Sequence, residues 1–243
     1  MCYHISLTKP EKKIEDTFNA QYNIPLAFEP YYHFNGWETK HLSIIKQDDE
    51  TLIDLAIWGV LPSFFDLSER NNFLIKTNTL NATAERLFTS NLFNQFITWQ
   101  KCIIIADGFY EPHTTPEAKI PYYFKEKNHN LFAFAGIYSV IDDHSSTPIY
   151  SASIITREAN DFFKSIHNSP NKQGSYRMPL ILDPRDYYDW LNATDEDEIK
   201  TLLHTFTKQE ITAYPVSRDL FKTKIDTNNP EILKEVPFQK GLF

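Results

Sequence analysis

The sequence predicts an α+β fold, a single domain with a largely antiparallel, barrel-like β-sheet core flanked by helices. Apolar and β-branched runs follow one another closely and are rarely separated by helical patterns, which favours antiparallel pairing over a doubly wound parallel sheet. With 243 residues, 42% of them hydrophobic, the chain can bury a sizeable core. It contains no internal repeat and no Gly/Ser-rich linker, so we expect one domain over residues 1–243.

The first half of the chain is predicted to hold two helices and two strands. Thr8 to Glu11 resembles a capping box with a proline in the first turn, which predicts a helix through Phe18. A second helix is expected to begin at Asn81 or Thr83, because the apolar residues beyond them recur on one helical face. That face would carry Phe88, Leu92, Phe93 and Phe96. The two strands are predicted at Leu42 to Ile45 and Leu52 to Trp58.

The second half is predicted to be richer in strands. Cys102 to Ala106 is a short β-branched run that ends at the turn signal Asp107-Gly108, which indicates a central strand. Further strands are predicted at Tyr122 to Lys125, Leu131 to Val140, Tyr150 to Thr156, Pro179 to Leu182 and Ile211 to Val216. Helices are predicted at Ala159 to Ile166, Pro184 to Leu191 and Glu196 to Phe206.

Composition limits the compartment and the partners. Two cysteines, neither in a C-x-x-C pair, provide no disulfide framework and are typical of a reducing compartment. The N-terminus lacks the apolar segment of a signal peptide, and the longest apolar stretch is too short to span a bilayer. We therefore expect a cytoplasmic protein with no membrane contact. We also expect a monomer. With a net charge of −8, counterion release from a broad basic surface cannot be assumed, so any nucleic-acid site would have to be local.

Cys2 could have a reactivity that an internal cysteine lacks. If Met1 were removed, the α-amine and the thiol of Cys2 would form a 1,2-aminothiol, and both groups could attack one aldehyde. The amine would condense to an imine and the thiolate would close a thiazolidine ring, which an internal cysteine cannot do. The structural alternative is an ordinary frayed terminal cysteine.

Short motifs along the chain resemble those of the SOS response-associated peptidase (SRAP) family, and they occur in the family's order. They run from residue 1 to about residue 192, whereas residues 193–243 are less diagnostic. The motifs are Met1-Cys2, Trp58 to Phe64, Asn81 to Glu85, Lys101 to Glu111, Phe132 to Ile137, Ile154 to Thr156, Ile166 to Asn168 and Arg177 to Pro179.

The resemblance implies binding of single-stranded DNA that contains abasic sites, with a thiazolidine crosslink between Cys2 and the ring-opened sugar. It also implies that the same site removes Met1 by self-cleavage. The family's active-site positions fall on Cys2, Asn81, Glu111 and His167. No cofactor is implied.

Each of these positions has a plausible chemical role. Glu111 is the expected proton shuttle, and His167 would be a second proton-transfer group at the sugar ring oxygen. Asn81 would orient the Cys2 amine. The structural alternatives are a solvated loop glutamate, a histidine favoured by a helix C-terminus, and an asparagine N-cap.

DNA contact is where the sequence departs from the family pattern. His4, Thr83 and Asn91 stand where arginine is common, which predicts weaker affinity and a flatter salt dependence. Pro112 replaces a tryptophan, and residues 168–176 lengthen the loop before Arg177. Phe64 and Phe65 stand at the family's tryptophan position, and one of the two should face the core because strand neighbours point opposite ways. The expected DNA-binding residues are Phe64, Phe65, Arg86, Thr156, Arg157 and Arg177; ordinary surface salt bridging is the alternative for the arginines.

No metal site is expected, because Cys2 and His4 are the only close pair of soft ligands. The other histidines are scattered: His33, His41, His113, His129, His144 and His204. Two other functions stay open. One is an N-terminal-nucleophile amidohydrolase, which would turn over a small amide many times. The other is a non-covalent protein that binds single-stranded DNA or a partner without any crosslink.

Overall fold

Two β-sheets organise the computed structural model, which describes residues 2–142, 147–205 and 207–237. The described strands are β1 His4–Leu7, β2 Gln21–Tyr22, β3 Tyr31–Asn35, β4 His41–Lys46, β5 Asp49–Trp58, β6 Asn81–Thr83, β7 Lys101–Ala106, β8 Gly108–Thr114, β9 Lys119–Glu126, β10 Phe132–Ile141, β11 Ile149–Glu158, β12 Arg177–Pro179 and β13 Ile211–Pro215. The described helices are α1 Glu11–Phe18, α2 Arg70–Thr77, α3 Asn94–Ile97, α4 Asp161–Ile166, α5 Tyr187–Asn192 and α6 Glu196–His204.

The smaller sheet has the strand order β13-β9-β8-β1-β3, and the larger has the order β12-β11-β10-β7-β4-β5-β2 with β6 beside β11. Most pairs are antiparallel, as predicted. The parallel pairs are β2 with β5, β5 with β11 and β6 with β11. Helices flank these sheets, which confirms the α+β class. The division into one domain over residues 1–243 stays a prediction.

The barrel-like expectation is confirmed in the form of a ring of strands that is not closed. Pairing of β5 with β11 joins β11, β10, β7, β4 and β5 into a ring of strands. The ring is not closed as a barrel, because β5 and β11 pair over only three residues, from Tyr150↔Ala56 to Ala152↔Trp58. Closure of a barrel requires a continuous ladder around the whole sheet.

Strand β7 is central, as its β-branched composition predicted. All six of its residues are buried, and it pairs with β10 on one side and β4 on the other. Gly136 of β10 lies opposite Cys102, and a Cβ at Gly136 would come within 2.9 Å of the Cys102 sulfur. Glycine therefore allows β10 to pack closely against β7 at this point.

The predicted helix after Asn81 is wrong. Asn81–Thr83 is the short strand β6, which pairs in parallel with β11, and a 3-10 turn at Ala84–Arg86 follows it. Only Asn94–Ile97 is α-helical in that region. The four apolar residues do pack on the core, Phe96 fully and the others in part. Sheet pairing of the backbone thus overrides the helical spacing of the side chains.

Other boundaries follow the sequence more closely. Helix α1 ends at Phe18 as predicted, but Pro10 occupies its N-cap without a side-chain bond, and Thr8 hydrogen-bonds Asp107 instead. Strand β12 ends at Pro179, where the predicted strand was to begin. Phe206, at the predicted end of α6, lies outside the described residues. Strands β1, β2, β3 and β8 and helix α2 were not predicted. Among the described residues, the helices are all too short or too polar to cross a membrane.

Candidate active site

Cys2 lies two residues before the start of β1 and is fully buried. Its thiol sulfur is 3.9 Å from the carbonyl oxygen of His4, a long contact for a weak donor. Strand β1 pairs with β8 in the register His4↔Tyr110, so the backbone of Cys2 continues beside the part of β8 that follows Tyr110. The other cysteine, Cys102, is also a free and buried thiol.

Asn81 anchors this N-terminal segment. Its side-chain nitrogen donates a 2.9 Å hydrogen bond to the carbonyl oxygen of Cys2, rather than to the amine as the sequence had suggested. Asn81 is the first residue of β6 and is held by the parallel register with Ile154 of β11, so it is not a helix N-cap. Among the described residues, no group hydrogen-bonds its buried side-chain oxygen. That oxygen remains able to accept a hydrogen bond from an amine or a substrate hydroxyl.

Glu111 and His167 form a close buried pair. Glu111 belongs to β8 and is 1% exposed, so it is not a solvated loop residue. His167 is the C-cap of α4, which puts its ring nitrogen Nδ1 3.4 Å from Glu111 Oε2. Helix capping and contact with Glu111 occur together, so the two interpretations of His167 are compatible. A carboxylate and an imidazole at this distance can exchange a proton with a shared substrate.

Burial shapes the acid–base properties of the cluster. Desolvation raises the pKa of the Cys2 thiol well above its ordinary value, and the negative charge of Glu111 raises it further. Desolvation also lowers the pKa of His167, although the Glu111 carboxylate opposes that shift. The thiol is therefore protonated at neutral pH and His167 is neutral, so the thiol needs a nearby base before it can attack.

The four positions inferred from the resemblance are thus brought together. Asn81 contacts Cys2, Glu111 acts on the Cys2 thiol through its charge, and His167 contacts Glu111. They come from the N-terminal segment, β6, β8 and the end of α4. Met1 lies outside the described residues. Nowhere in the described chain do three or more histidine, cysteine, aspartate or glutamate side chains form a group that could hold a metal.

The Arg177 side chain is buried and hydrogen-bonded to other residues of the protein. Its guanidinium is 6% exposed, and both terminal nitrogens donate to the Glu85 carboxylate at 2.8 Å. One of them also donates to the Thr156 carbonyl oxygen at 2.6 Å. This fork joins the turn after β6 to β11 and β12. The salt-bridge alternative describes Arg177 well, although the pair is buried on the arginine side and bidentate.

The other polar residues of the expected DNA set differ in exposure. Arg157 is buried and donates to the Thr205 carbonyl oxygen at 2.7 Å, and burial lowers its pKa. Thr156 is fully buried, and its hydroxyl has no hydrogen-bond partner among the described residues. Arg86 is exposed on the 3-10 turn that follows β6. Of the three arginines, Arg86 alone presents its guanidinium to solvent.

Phe64 and Phe65 differ in exposure as predicted, but they lie in the loop after β5 and not in a strand. Phe64 is 81% exposed, whereas Phe65 is half-buried and meets the Phe73 ring edge-on, with ring centroids 5.1 Å apart. Phe73 belongs to α2, the helix that the sequence did not predict. Phe64 is therefore available for base stacking, and Phe65 holds its loop against α2.

Several positions that depart from the family pattern make specific contacts within the protein. His4 stacks on His33, and their ring nitrogens lie 2.8 Å apart. Burial lowers the pKa of His4 to about 4, so His4 is neutral at pH 7 and does not replace a cationic arginine. Pro112 continues β8 opposite Pro121. The longer loop is tied to β8 by Asn168, whose side chain exchanges two hydrogen bonds with the Thr114 backbone.

A groove on the face of the smaller sheet opposite Glu111 was missed by sequence reasoning. It has a volume of about 750 Å³ and is lined by Pro112, Lys119, Arg218, Phe221 and Lys222. Three of these residues belong to the last fifty, which carry few motifs. Their positive charge is the only sequence signal that could have pointed to them, and it is diluted by many acidic neighbours.

Comparison with known proteins identifies the class. A crystal structure of a protein from Bacteroides thetaiotaomicron superposes with a TM-score of 0.83 at 27% identity, over 97% of this chain and 100% of that one. A protein from Bordetella bronchiseptica shares the fold, with a TM-score of 0.73 at 23% identity. Residues 1–223 match the family model described as SOS response associated peptidase (SRAP). The chain therefore belongs to the SRAP family.

Named relatives extend the comparison. The chain is similar to abasic site processing protein YoqW of Bacillus subtilis, with 31% identity over 240 residues, covering 96% of this chain and 99% of the relative. It is also similar to abasic site processing protein HMCES of Xenopus tropicalis, with 26% identity over 222 residues, covering 81% of this chain and 61% of that protein.

Proposed function

We propose that this protein processes abasic sites in single-stranded DNA, and that it does so by forming a covalent thiazolidine through Cys2 after Met1 is removed. The observation that supports this most is the buried cluster in which Asn81 holds the Cys2 backbone beside the Glu111–His167 pair. The names of the relatives support abasic-site processing. Action in the DNA damage response and a cytoplasmic location are further parts of the proposal.

The covalent step balances without an oxidant or a cofactor. The freed amine of Cys2 adds to the C1′ aldehyde of the ring-opened abasic sugar, and the carbinolamine loses water to give an imine. The Cys2 sulfur then adds to the same carbon, and its proton ends on the ring nitrogen. One water is released in total. Reversal consumes one water and returns the aldehyde.

Buried proton-transfer groups are needed because each of these steps moves a proton. The Cys2 thiol is held protonated by burial and by the nearby carboxylate, so Glu111 is the group to take its proton as sulfur attacks. His167, kept neutral by burial, would take the proton of the C1′ hydroxyl and deliver it to the ring oxygen as the sugar opens, and would carry the proton the other way on reversal. Asn81 positions Cys2 and offers its unbonded side-chain oxygen to the amine.

Removal of Met1 is assigned to the same cluster. Hydrolysis of the Met1–Cys2 peptide bond consumes one water and frees the amine that the crosslink needs. The Asn81 bond to the Cys2 carbonyl would hold the new N-terminus in place during both reactions. A chain that keeps Met1 has no free amine at Cys2 and should form no thiazolidine.

The direct test mixes the protein with an abasic single-stranded oligonucleotide and measures a denaturant-resistant adduct by gel and by intact mass. Wild type and Cys102→Ala should crosslink, and Cys2→Ala should not. Glu111→Gln preserves shape and should slow the reaction by about 10²- to 10⁴-fold, the usual contribution of a general acid–base. Glu158→Gln, an exposed carboxylate on β11, is the matched control.

The outcome also separates the other functions. An adduct that carries Met1 would contradict the mechanism. Repeated turnover of a small amide with no adduct would favour an N-terminal-nucleophile amidohydrolase. Binding of DNA that Cys2→Ala leaves intact, with no adduct in wild type, would indicate a non-covalent protein.

A further inference from the structure

Tyr3 extends strand β1 by one residue at its N-terminal end. The backbone nitrogen of Gly36 donates a 2.9 Å hydrogen bond to the Tyr3 carbonyl oxygen, which continues the pairing of β1 with β3. On the other side, the register of β1 with β8 pairs His4 with Tyr110. Continued by one residue, this register places Tyr3 opposite Glu111. Opposite residues of an antiparallel pair project from the same face and lie close together, so the Tyr3 side chain is a neighbour of the Glu111 carboxylate.

The acid–base properties of Tyr3 reflect the same neighbours. Tyr3 is half-buried, and this burial raises the pKa of its phenol. A hydrogen bond from Asn78 opposes the shift in pKa, whereas the negative charges of Glu111 and of a Cys2 thiolate add to it. The phenol is therefore neutral at pH 7 and lies within electrostatic reach of both groups.

Asn78 holds the far end of the Tyr3 side chain. Its side-chain nitrogen donates a 3.0 Å hydrogen bond to the Tyr3 hydroxyl oxygen. Asn78 is the left-handed C-cap of α2, and its backbone nitrogen donates to the Leu74 carbonyl oxygen, so the end of the helix fixes the direction of its amide. Further along the same segment, Asn81 donates to the Cys2 carbonyl oxygen. The segment 78–81 thus holds two successive N-terminal residues, Cys2 by its backbone and Tyr3 by its side chain.

Such a double attachment matters once Met1 is removed. Cys2 is then the first residue of the chain, and a terminal residue frays unless it is tied down. The covalent reaction needs the amine and the thiol of this residue to reach one carbon atom in turn, and a nucleophile that is held in place reacts faster than one that moves freely.

We propose that Tyr3 is a positioning residue in the covalent reaction. Its phenol, held by Asn78, fixes the direction of the chain at Cys2, so that the free amine and the thiol stay beside Glu111. In this role Tyr3 transfers no proton and makes no contact with the DNA. The proposal rests on the covalent function proposed above.

The first test compares wild type with Tyr3→Phe, which removes a single oxygen atom. Crosslinking is measured under single-turnover conditions over a range of concentrations of abasic single-stranded oligonucleotide, on protein whose loss of Met1 has been verified by intact mass. The maximal rate should fall by about three- to tenfold, the effect expected for one hydrogen bond between neutral groups. The half-saturating oligonucleotide concentration and the final yield of adduct should stay at their wild-type values. A variant that merely unfolds in part would lower the yield instead.

The partner of the phenol provides a second test. Asn78 has a φ of 41°, so Asn78→Gly removes the amide and keeps a residue that tolerates the left-handed backbone. Its maximal rate should fall by a similar factor. The double variant Tyr3→Phe/Asn78→Gly should react no more slowly than the slower single variant, because both changes remove the same bond. Tyr188→Phe, at a tyrosine of α5 that is 65% exposed, is the matched control and should react at the wild-type rate.

Hydrogen–deuterium exchange gives a measurement that needs no DNA. If the phenol holds the N-terminal segment, the backbone amides of Tyr3 and His4 should exchange at least about threefold faster in Tyr3→Phe than in wild type, because local opening becomes easier. Exchange in β7, a buried strand on the other sheet, should not change.

The outcomes separate this role from the others. Rate losses that multiply in the double variant would overturn the Tyr3–Asn78 attachment. A raised half-saturating concentration with an unchanged maximal rate would make Tyr3 a DNA contact, and a slower rate with unchanged exchange would make it a group that acts on the sugar; both contradict the positioning role. A wild-type adduct together with an unaltered rate in Tyr3→Phe would refute the positioning role alone. Faster exchange in Tyr3→Phe, with no adduct in wild type, would keep the attachment and refute the covalent function.

Discussion

Asn81 donates a hydrogen bond to the carbonyl oxygen of Cys2 across 2.9 Å, although the two residues are 79 positions apart in the chain. Both residues are buried, so water cannot easily replace the bond. It ties the N-terminal nucleophile to β6, which is in turn paired with β11. The position of Cys2 therefore depends on the larger sheet as well as on β1.

Loss of this bond should slow crosslinking. A buried hydrogen bond whose partner is left unsatisfied costs about 1–3 kcal/mol, so Asn81→Ala should lower the crosslinking rate by about tenfold or more. The measurement is the single-turnover rate of adduct formation with abasic single-stranded DNA. Asn91→Ala, an exposed position, should react at the wild-type rate. An Asn81→Ala rate equal to wild type would remove Asn81 from the mechanism.

Arg177 should matter for stability. Its buried guanidinium binds Glu85 with two hydrogen bonds and also binds the Thr156 carbonyl oxygen. Arg177→Ala leaves the Thr156 carbonyl and half of an ion pair without a partner, and should lower the free energy of unfolding by about 3 kcal/mol. Arg177→Lys should not restore it, because an ammonium cannot reproduce the fork. Urea denaturation measures both variants.

Glu85 provides the comparison for this pair. Its side chain is 52% exposed, so Glu85→Gln should cost only about 1 kcal/mol. If Arg177→Ala unfolds like wild type yet loses affinity for single-stranded DNA, Arg177 is a phosphate ligand, as the sequence suggested, and the structural role is wrong.

The two phenylalanines should show opposite effects. Phe64→Ala should weaken binding of single-stranded DNA by about 1–3 kcal/mol, the range for one base stacked on an aromatic ring, with little change in stability. Phe65→Ala should lower the free energy of unfolding by about 1–2 kcal/mol, because it removes the ring that packs against Phe73. Anisotropy and urea denaturation on both variants give the four values. A stability loss in Phe64→Ala as large as in Phe65→Ala would contradict the assignment.

Acid should destabilise the fold through His4 and His33. Burial lowers the pKa of His4 to about 4 and that of His33 to about 3, below the value of about 6.5 in an unfolded chain. Both are neutral in the folded state, so their contribution is complete above pH 6.5. As pH falls from 6.5 towards 4 the unfolded state takes up more protons than the folded state, and stability decreases by about 3 kcal/mol for each histidine.

The check is the free energy of unfolding measured at several pH values. His33→Asn should flatten the decrease below pH 6.5, because it removes one buried titrating group and the shared proton position with His4. His204→Asn, an exposed histidine on α6, should leave the pH profile unchanged. A profile that is flat in wild type between pH 4 and 6.5 would exclude the effect.

Local patterns predicted much of the fold, because regular apolar spacing gives a strand or a helix one face that can be buried in the core. Strands β4, β5, β7, β9, β10, β11 and β13 and helices α1, α4, α5 and α6 match the predictions in type. The region from Asn81 to Ile97 did not follow its helical spacing. There the backbone of Asn81 to Thr83 pairs in parallel with β11. Because β11 is more than sixty residues further along the chain, a local sequence window does not contain it.

The candidate site shows the same division. Cys2, Asn81, Glu111 and His167 were inferred from motifs that resemble those of the family, and the structure brings these four side chains together. Their contacts were not predictable, since the Asn81 bond goes to a carbonyl and the His167 ring reaches a carboxylate 56 positions away only after β8 and α4 have packed. Burial, which sets the protonation of Cys2 and His167, is likewise a property of the packed core.

The amino-acid sequence alone indicated the α+β class, the place along the chain of many strands and helices, the candidate site residues that its motifs imply, and an acidic net charge. These features follow from composition, periodicity and motif order along the chain. Tertiary structure alone decided which cations face solvent: it turned Arg157 and Arg177 inward and left Lys119 and Arg218 exposed at a groove on the opposite face of the smaller sheet from Glu111. The reason is that a cationic side chain is available to a ligand only if it is not already hydrogen-bonded to a buried acceptor from a distant segment.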